Sequence, residues 1–191
     1  MVRKLLVKIA QKLDEYHIDY MVIGGQAVLI HGEPRMTADI DITLAATVDK
    51  LDVVEKIVHE LGLSIIVDEH HDFVKRTWVL PAYDPKSGFR VDFIFSFSSY
   101  ERKAIERAVK VKIKGYFVKF ASVEDLIIHK IVAGRARDIE DVKVILHKNL
   151  NKFDKDYILR QLKEFDDSLN LNTVETFEKI LDEIREEISN E

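Results

Sequence analysis

Apolar residues recur along this chain with two periods, and the change from one to the other divides it. From Val2 to Tyr16 the residues Leu5, Ile9, Leu13 and Tyr16 step by three and four, which predicts an amphipathic helix. Tyr20–Ile23 reads as a short buried strand. Gln26–His31 reads as a short helix stopped by Gly32 and Pro34, and Ala38–Leu44 as a second strand. Thr47–Leu61 predicts a helix, with Thr47 as N-cap and Gly62 just past its end. Ser64–Val67 and Phe73–Leu80 read as strands, Pro81–Gly88 as a loop, Phe89–Phe97 as a strongly apolar strand and Ser99–Ala108 as a helix. Val109–Phe120 alternates and predicts a hairpin around Lys114-Gly115.

From Ser122 onward only the helical period remains. Ser122, with Asp125 three residues on, opens LIIHKIVA as a variant capping box. Arg137–Leu150, Asp154–Leu169 and Thr173–Ile188 follow as helices. The stripes Ile158, Leu162, Phe165, Leu169 and Phe177, Leu181, Ile184, Ile188 predict core faces. The expected fold class is α+β: a mixed central β-sheet flanked by helices, then a helical C-terminal part. The expected domains are a core over residues 1–121 and a helical region over 122–191 packed on it.

Composition narrows the chemistry. The chain has 191 residues and no cysteine, which excludes disulfides and thiolate metal sites. Its apolar N-terminus is broken by Lys8, Lys12, Asp14 and Glu15 and does not read as a signal segment, and no apolar run reaches a membrane span. The cytoplasm is the expected location. The net charge of −5 hides a local reversal. Arg102, Lys103, Arg107, Lys110, Lys112, Lys114 and Lys119 face Glu106 alone, whereas acids dominate after Asn151. A local basic stretch suits a polyanionic partner.

The segment Met21–Leu44, MVIGGQAVLIHGEPRMTADIDITL, concentrates the candidate chemistry. Side chains two apart on a strand share a face, so Asp39 and Asp41 project together while Ile40 and Ile42 enter the core. Two such carboxylates repel unless a cation lies between them. Gly24-Gly25 lies between a strand and a helix, where backbone N–H groups can meet phosphate. Asp92, in FRVDFIFSF, is a third acid on an apolar strand, with Val91 and Phe93 facing the other way. A charge there is costly unless paired or metal-bound. Arg90, on the same face, offers a plain ion pair as the alternative.

Together, Gly24-Gly25, Asp39-Ile40-Asp41 and Asp92 resemble the nucleotidyltransferase superfamily with its polymerase-beta-like fold. Arg35–Asp41 and Ser122–Val142 are most similar to AbiEii-type and related small prokaryotic nucleotidyltransferases. The second glycine stands where many members have a phosphate-holding serine. The resemblance implies Mg²⁺ or Mn²⁺ held by Asp39, Asp41 and Asp92, with two cations about 3.5–4 Å apart clamping an in-line displacement. Gly24 and Gly25 would bind the nucleotide phosphates, and Asp92 would take the acceptor proton. Lys130 is the candidate cation for the leaving pyrophosphate, both catalytic and nucleotide-binding. Asp138 is placed with the nucleotide-binding residues, orienting Lys130 or Arg135. Arg35 and Thr37 are expected to order the loop before the Asp39 strand.

The expected reaction moves a nucleoside monophosphate from an NTP to an acceptor hydroxyl, with an RNA end as the favoured acceptor. A toxin–antitoxin or phage-defence role, with an antitoxin partner, is implied by the same resemblance. A non-catalytic binding module and a small-molecule, antibiotic-type transferase are the alternatives. His70-His71, with Asp68, Glu69 and Asp72, reads as a solvated turn, and zinc is not expected.

Overall fold

The computed structural model describes residues 1–33, 36–96, 98–150 and 152–190. It resolves into two compact units, one of Met1–Gln26 with Met36–Ala121 and one of Ala27–Arg35 with Ser122–Glu191.

The first unit is built on a seven-stranded mixed sheet. Its strands are β1 (Tyr20–Ile23), β2 (Asp39–Leu44), β3 (Ser64–Ile65), β4 (Val79–Tyr83), β5 (Arg90–Phe95), β6 (Val109–Ile113) and β7 (Tyr116–Phe120). The spatial order is β3-β4-β5-β2-β1-β7-β6. β2 runs antiparallel to β1 and parallel to β5, so the acid-bearing strands are neighbours in the middle of the sheet. The alternation read from the sequence appears directly: Ile40, Ile42, Val91 and Phe93 are fully buried. Asp39, Asp41, Arg90 and Asp92 point to the other face.

Helix α1 (Val2–Glu15) buries Leu5, Leu6, Ile9, Ala10 and Leu13, the stripe its period predicts. It is tied to β7 where the Tyr116 hydroxyl donates to Asp14 at 2.6 Å. Helix α2 (Gly24–His31) begins at the glycine pair itself. Thr47 precedes a 3₁₀ turn, Val48–Lys50, that leads into α3 (Leu51–Glu60). Helix α5 (Ser99–Glu106) carries a complete capping box between Ser98 and Glu101.

One stretch departs from expectation. Residues 70–77 form helix α4 (His70–Thr77), where a turn and a strand were expected. The apolar pair Phe73-Val74 reads as strand-like, but only Val74 enters the core. The helix ends on Trp78 in the left-handed region, φ 59°, whose N–H reaches the Val74 carbonyl at 2.7 Å. Strand β4 therefore starts later and continues through Pro81, which was expected to open a loop. Proline has no N–H to give the ladder. Its carbonyl is used instead, accepting from Ile66 at 3.0 Å.

The second unit is helical: α6 (Val123–Ala133), α7 (Ala136–Asn149), α8 (Lys155–Leu169) and α9 (Thr173–Ser189). Ser122 caps α6 through the Asp125 N–H at 3.1 Å, and Gly134 at φ 64° closes it. Asp154 caps α8, and Asp166 accepts from the Thr173 and Val174 N–H groups to start α9. The two predicted stripes form the core at Ile158, Leu162, Phe177, Leu181 and Ile184, but their last members, Leu169 and Ile188, are exposed. The segment from Ala27 is fastened to α7: Lys148 donates to the Gly32 carbonyl at 2.7 Å and Asn149 to that of His31 at 2.8 Å.

Candidate active site on the sheet face

Sheet register brings the three expected acids together. Asp41 pairs with Asp92 across β2 and β5, and Asp39 pairs with Arg90. Parallel neighbours lie about 4.8 Å apart, so Asp39, Asp41, Arg90 and Asp92 form one charged patch above an apolar layer. Arg90 Nε donates to Asp92 Oδ1 at 2.8 Å, the ion pair foreseen as the plain alternative. The hydrogen bond to Asp92 raises the guanidinium pKa above its ordinary value; burial opposes this, and Asp92, Asp39 and Asp41 add attraction. Among the described residues, Arg90 thus bonds one carboxylate and is attracted by the other two.

The glycine pair closes the patch from the β1 side, where Ile23 pairs with Asp41. Gly24 has φ +61°, and a Cβ there would overlap the Asp41 carboxylate. The turn must be glycine both for its backbone and for the space that Asp41 occupies. Gly25 is tight for another reason: its Cβ would overlap the Thr37 side chain. Thr37, expected to order the loop, donates from its hydroxyl to the Asp39 carbonyl at 3.4 Å. Gln26, which sequence reasoning missed, is buried and donates to the same carbonyl at 3.3 Å. Its signal was a lone amide at the start of an otherwise apolar helix. Arg35 lies outside the described residues.

The carboxylate oxygens form a hard, all-oxygen donor set, the chemistry that Mg²⁺ and Mn²⁺ prefer. Among the described residues, the one group bringing three possible ligand atoms within 4.8 Å of one another lies elsewhere, at Glu55, His70 and His71. In the acid patch, Arg90 holds Asp92.

Lys130 and Asp138 belong to the second unit. Lys130 is buried, and its ammonium contacts Asp138 Oδ1 at 2.8 Å and Asp141 Oδ2 at 2.7 Å. Arg135 Nε reaches the other Asp138 oxygen at 2.6 Å. Burial pushes the Asp138 carboxyl up, but the hydrogen bonds from Lys130 and Arg135 outweigh it and hold the pKa below the usual range. Asp138 therefore orients both Lys130 and Arg135, while Asp141 was missed. Asp125, fully buried in the same unit, accepts from the Ser122 and Tyr157 hydroxyls.

The basic stretch is narrower than its sequence suggests. Lys110 and Lys112 are exposed on edge strand β6. Lys119 is instead held by Asp19 at 2.7 Å and Asp14 at 3.6 Å. Among the described residues, no helix is long and apolar enough to cross a membrane.

A family model described as "Nucleotidyl transferase of unknown function (DUF2204)" matches residues 2–187. Curated proteins compared by sequence gave no match. Solved structures share the fold. The solution structure of the antibiotic-resistance factor ANT(2'')-Ia aligns with TM-score 0.60 at 17% identity, over 88% of this chain and 94% of that one. An antigenic nucleotidyltransferase-like protein from Paracoccidioides brasiliensis gives 0.55 at 19%, over 91% and 92%. The lincosamide antibiotic adenylyltransferase LnuA, lincomycin-bound, gives 0.53 at 16%, over 74% and 94%.

Proposed function

This chain belongs to the DUF2204 family of nucleotidyl transferases, and we propose that it moves a nucleoside monophosphate from an NTP to an acceptor hydroxyl at the Asp39–Asp41–Asp92 face. The observation that carries the reading is the register placing Asp41 against Asp92 on one side and against the Gly24 turn on the other. Asp39, Asp41 and Asp92 would hold Mg²⁺ or Mn²⁺, which supplies positive charge to the phosphoryl oxygens. Gly24 and Gly25 present backbone N–H groups to the phosphates. Asp92 accepts the proton of the acceptor hydroxyl as its oxygen bonds to the α-phosphorus and pyrophosphate departs. Arg90 balances the carboxylates and releases Asp92 when the nucleotide complex forms. Gln26 and Thr37 fix the Asp39 backbone and hold the patch in register.

For the acceptor the reading favours a nucleic acid, and in particular an RNA end, supported by exposed Lys110 and Lys112 on an edge strand. A toxin–antitoxin or phage-defence setting, with an antitoxin partner in the cytoplasm, is the role that the motifs at Arg35–Asp41 and Ser122–Val142 support. Labelled NTPs offered with Mg²⁺ to total tRNA, protein and small hydroxylated acceptors test the reaction and its acceptor. Transfer to RNA is expected, with a loss of at least about 100-fold, or ~2.7 kcal/mol, in Asp41→Asn at unchanged stability. Equal transfer by Asp41→Asn would remove this face as the site, and transfer only to a small molecule would replace the acceptor.

A further inference from the structure

The strongest unassigned cluster lies away from the acid face, between α3 and α4. Glu55 on α3 and His70 and His71 at the start of α4 present Oε1 and two Nε2 atoms, all within 4.8 Å of one another. Both imidazole nitrogens approach the same carboxylate oxygen, at 2.8 Å from His70 and 2.9 Å from His71. That oxygen is buried, and neither ring nitrogen is aligned to give it a hydrogen bond. Consecutive residues on a helix point about 100° apart, so two adjacent histidines converge on one atom only where the chain turns into the helix. This happens at Glu69–His70, with Glu69 at φ −91° and ψ 55°. The two rings lie 4.9 Å apart and tilted, with their nitrogens on one point instead of stacked.

We propose that Glu55, His70 and His71 bind a transition-metal dication of the zinc class, separately from the hard-cation site at Asp39, Asp41 and Asp92. Two imidazoles and one carboxylate, with a fourth position left to water, make a recurrent tetrahedral zinc donor set. Imidazole nitrogen favours zinc, nickel or copper over magnesium, whereas an all-carboxylate set suits magnesium and manganese. Donors about 2.0–2.1 Å from a tetrahedral ion stand about 3.3 Å apart, so the present contacts need to open by only about half an ångström. The side of His71 is half exposed and gives an entry path, while Glu55 is largely buried and anchors the set. The positive end of α4 opposes a cation, and Asp72 in its first turn offsets this. Bound metal would fasten the start of α4 to α3 across β3.

The test is Zn²⁺ added to tag-free protein at neutral pH, read by calorimetry and by the melting midpoint. Wild type and Asp41→Asn are expected to bind one Zn²⁺ with equal affinity and to melt higher with it. His71→Ala and Glu55→Gln are expected to weaken binding by at least about tenfold and to lose the melting shift while still folding. Unchanged affinity in both of those variants, loss of Zn²⁺ binding in Asp41→Asn, or no binding by wild type at about 100-fold excess metal would each overturn the proposal.

Discussion

The acid face of the sheet and the Lys130 cluster contain nearly the same groups, yet they treat charge in opposite ways. On the sheet, Arg90 bonds Asp92 and is attracted by Asp39 and Asp41, and its side chain is 50% exposed. In the helical unit, Lys130 contacts Asp138 and Asp141 and Arg135 contacts Asp138, and the lysine and both carboxylates are no more than 7% exposed. A buried charge left without its partner is among the costliest defects a fold can carry. The helical cluster is therefore closed, its buried charges held against one another. The sheet face is open: water reaches its carboxylates, and such a face attracts a cation. Charged residues in apolar sequence mark both places, and only the partners tell them apart.

Removing Lys130 should have the largest effect. Lys130→Ala leaves Asp138 and Asp141 facing each other in a buried site, and a loss of about 3–5 kcal/mol is expected, a fall of roughly 10 °C or more in melting midpoint. Replacing all three by apolar or amide side chains should recover most of this. A Lys130→Ala protein that melts normally but loses NTP affinity would instead assign the ammonium to nucleotide and end the contrast. The same cluster sets an acid limb. Asp138 is held below its ordinary value of 3.8. Its contribution is thus complete above that pH and is lost as pH falls through the lower folded value. Denaturation followed from pH 5 to pH 2 should show this limb, and Asp138→Asn should flatten it.

Much of the fold was legible because each strand buries one face. Ile40 and Ile42 fix the direction of Asp39 and Asp41, and Val91 and Phe93 do the same for Asp92, so the shared face follows from alternation alone. Strand order did not follow from it: that Asp41 pairs with Asp92 depends on long-range register. Helix α4 was missed because Phe73-Val74 carries too little period to separate helix from strand, and the deciding contact is the Trp78 cap. Gln26 and Asp141 were missed for a common reason. Each acts on a partner at least ten residues away, one on a backbone carbonyl and one on a buried ammonium. Gly25 is read as a phosphate-binding turn residue, and the structure adds a constraint of its own, since a Cβ there would overlap the Thr37 side chain. Gly25→Val therefore disturbs the loop whatever binds there, and Gly24 is the cleaner probe.

Gly24→Ala should act on the open face with a smaller cost to stability. A non-glycine residue in the left-handed region costs about 1–2 kcal/mol. The added methyl also overlaps the Asp41 carboxylate and pushes it out of the patch. Metal-dependent NTP affinity is expected to fall about tenfold, more than strain alone explains, because the carboxylate itself is displaced. Calorimetry with Mg²⁺ and NTP, set beside thermal melting of the same variant, checks this. A loss of stability with full nucleotide affinity would leave Gly24 as a turn residue only.

The smallest effect, and the one of opposite sign, belongs to Arg90. Its ion pair with Asp92 is half exposed, and such pairs contribute about 0–1 kcal/mol to stability. Arg90→Gln should therefore melt within a degree or two of the wild type. Its effect on cation binding should be favourable. The guanidinium bonds to Asp92 and is attracted by Asp39 and Asp41, so any incoming cation must displace it or share its partners. Without it, Mn²⁺ affinity measured in the absence of nucleotide should rise a few-fold, on the order of 1 kcal/mol. With nucleotide present the gain should shrink, because the triphosphate brings negative charge that Arg90 would otherwise balance. Weaker Mn²⁺ binding in Arg90→Gln would mean that the arginine holds the carboxylates in place. The sheet face would then be a closed cluster of the same kind as Lys130, and the distinction drawn between the two regions would fail.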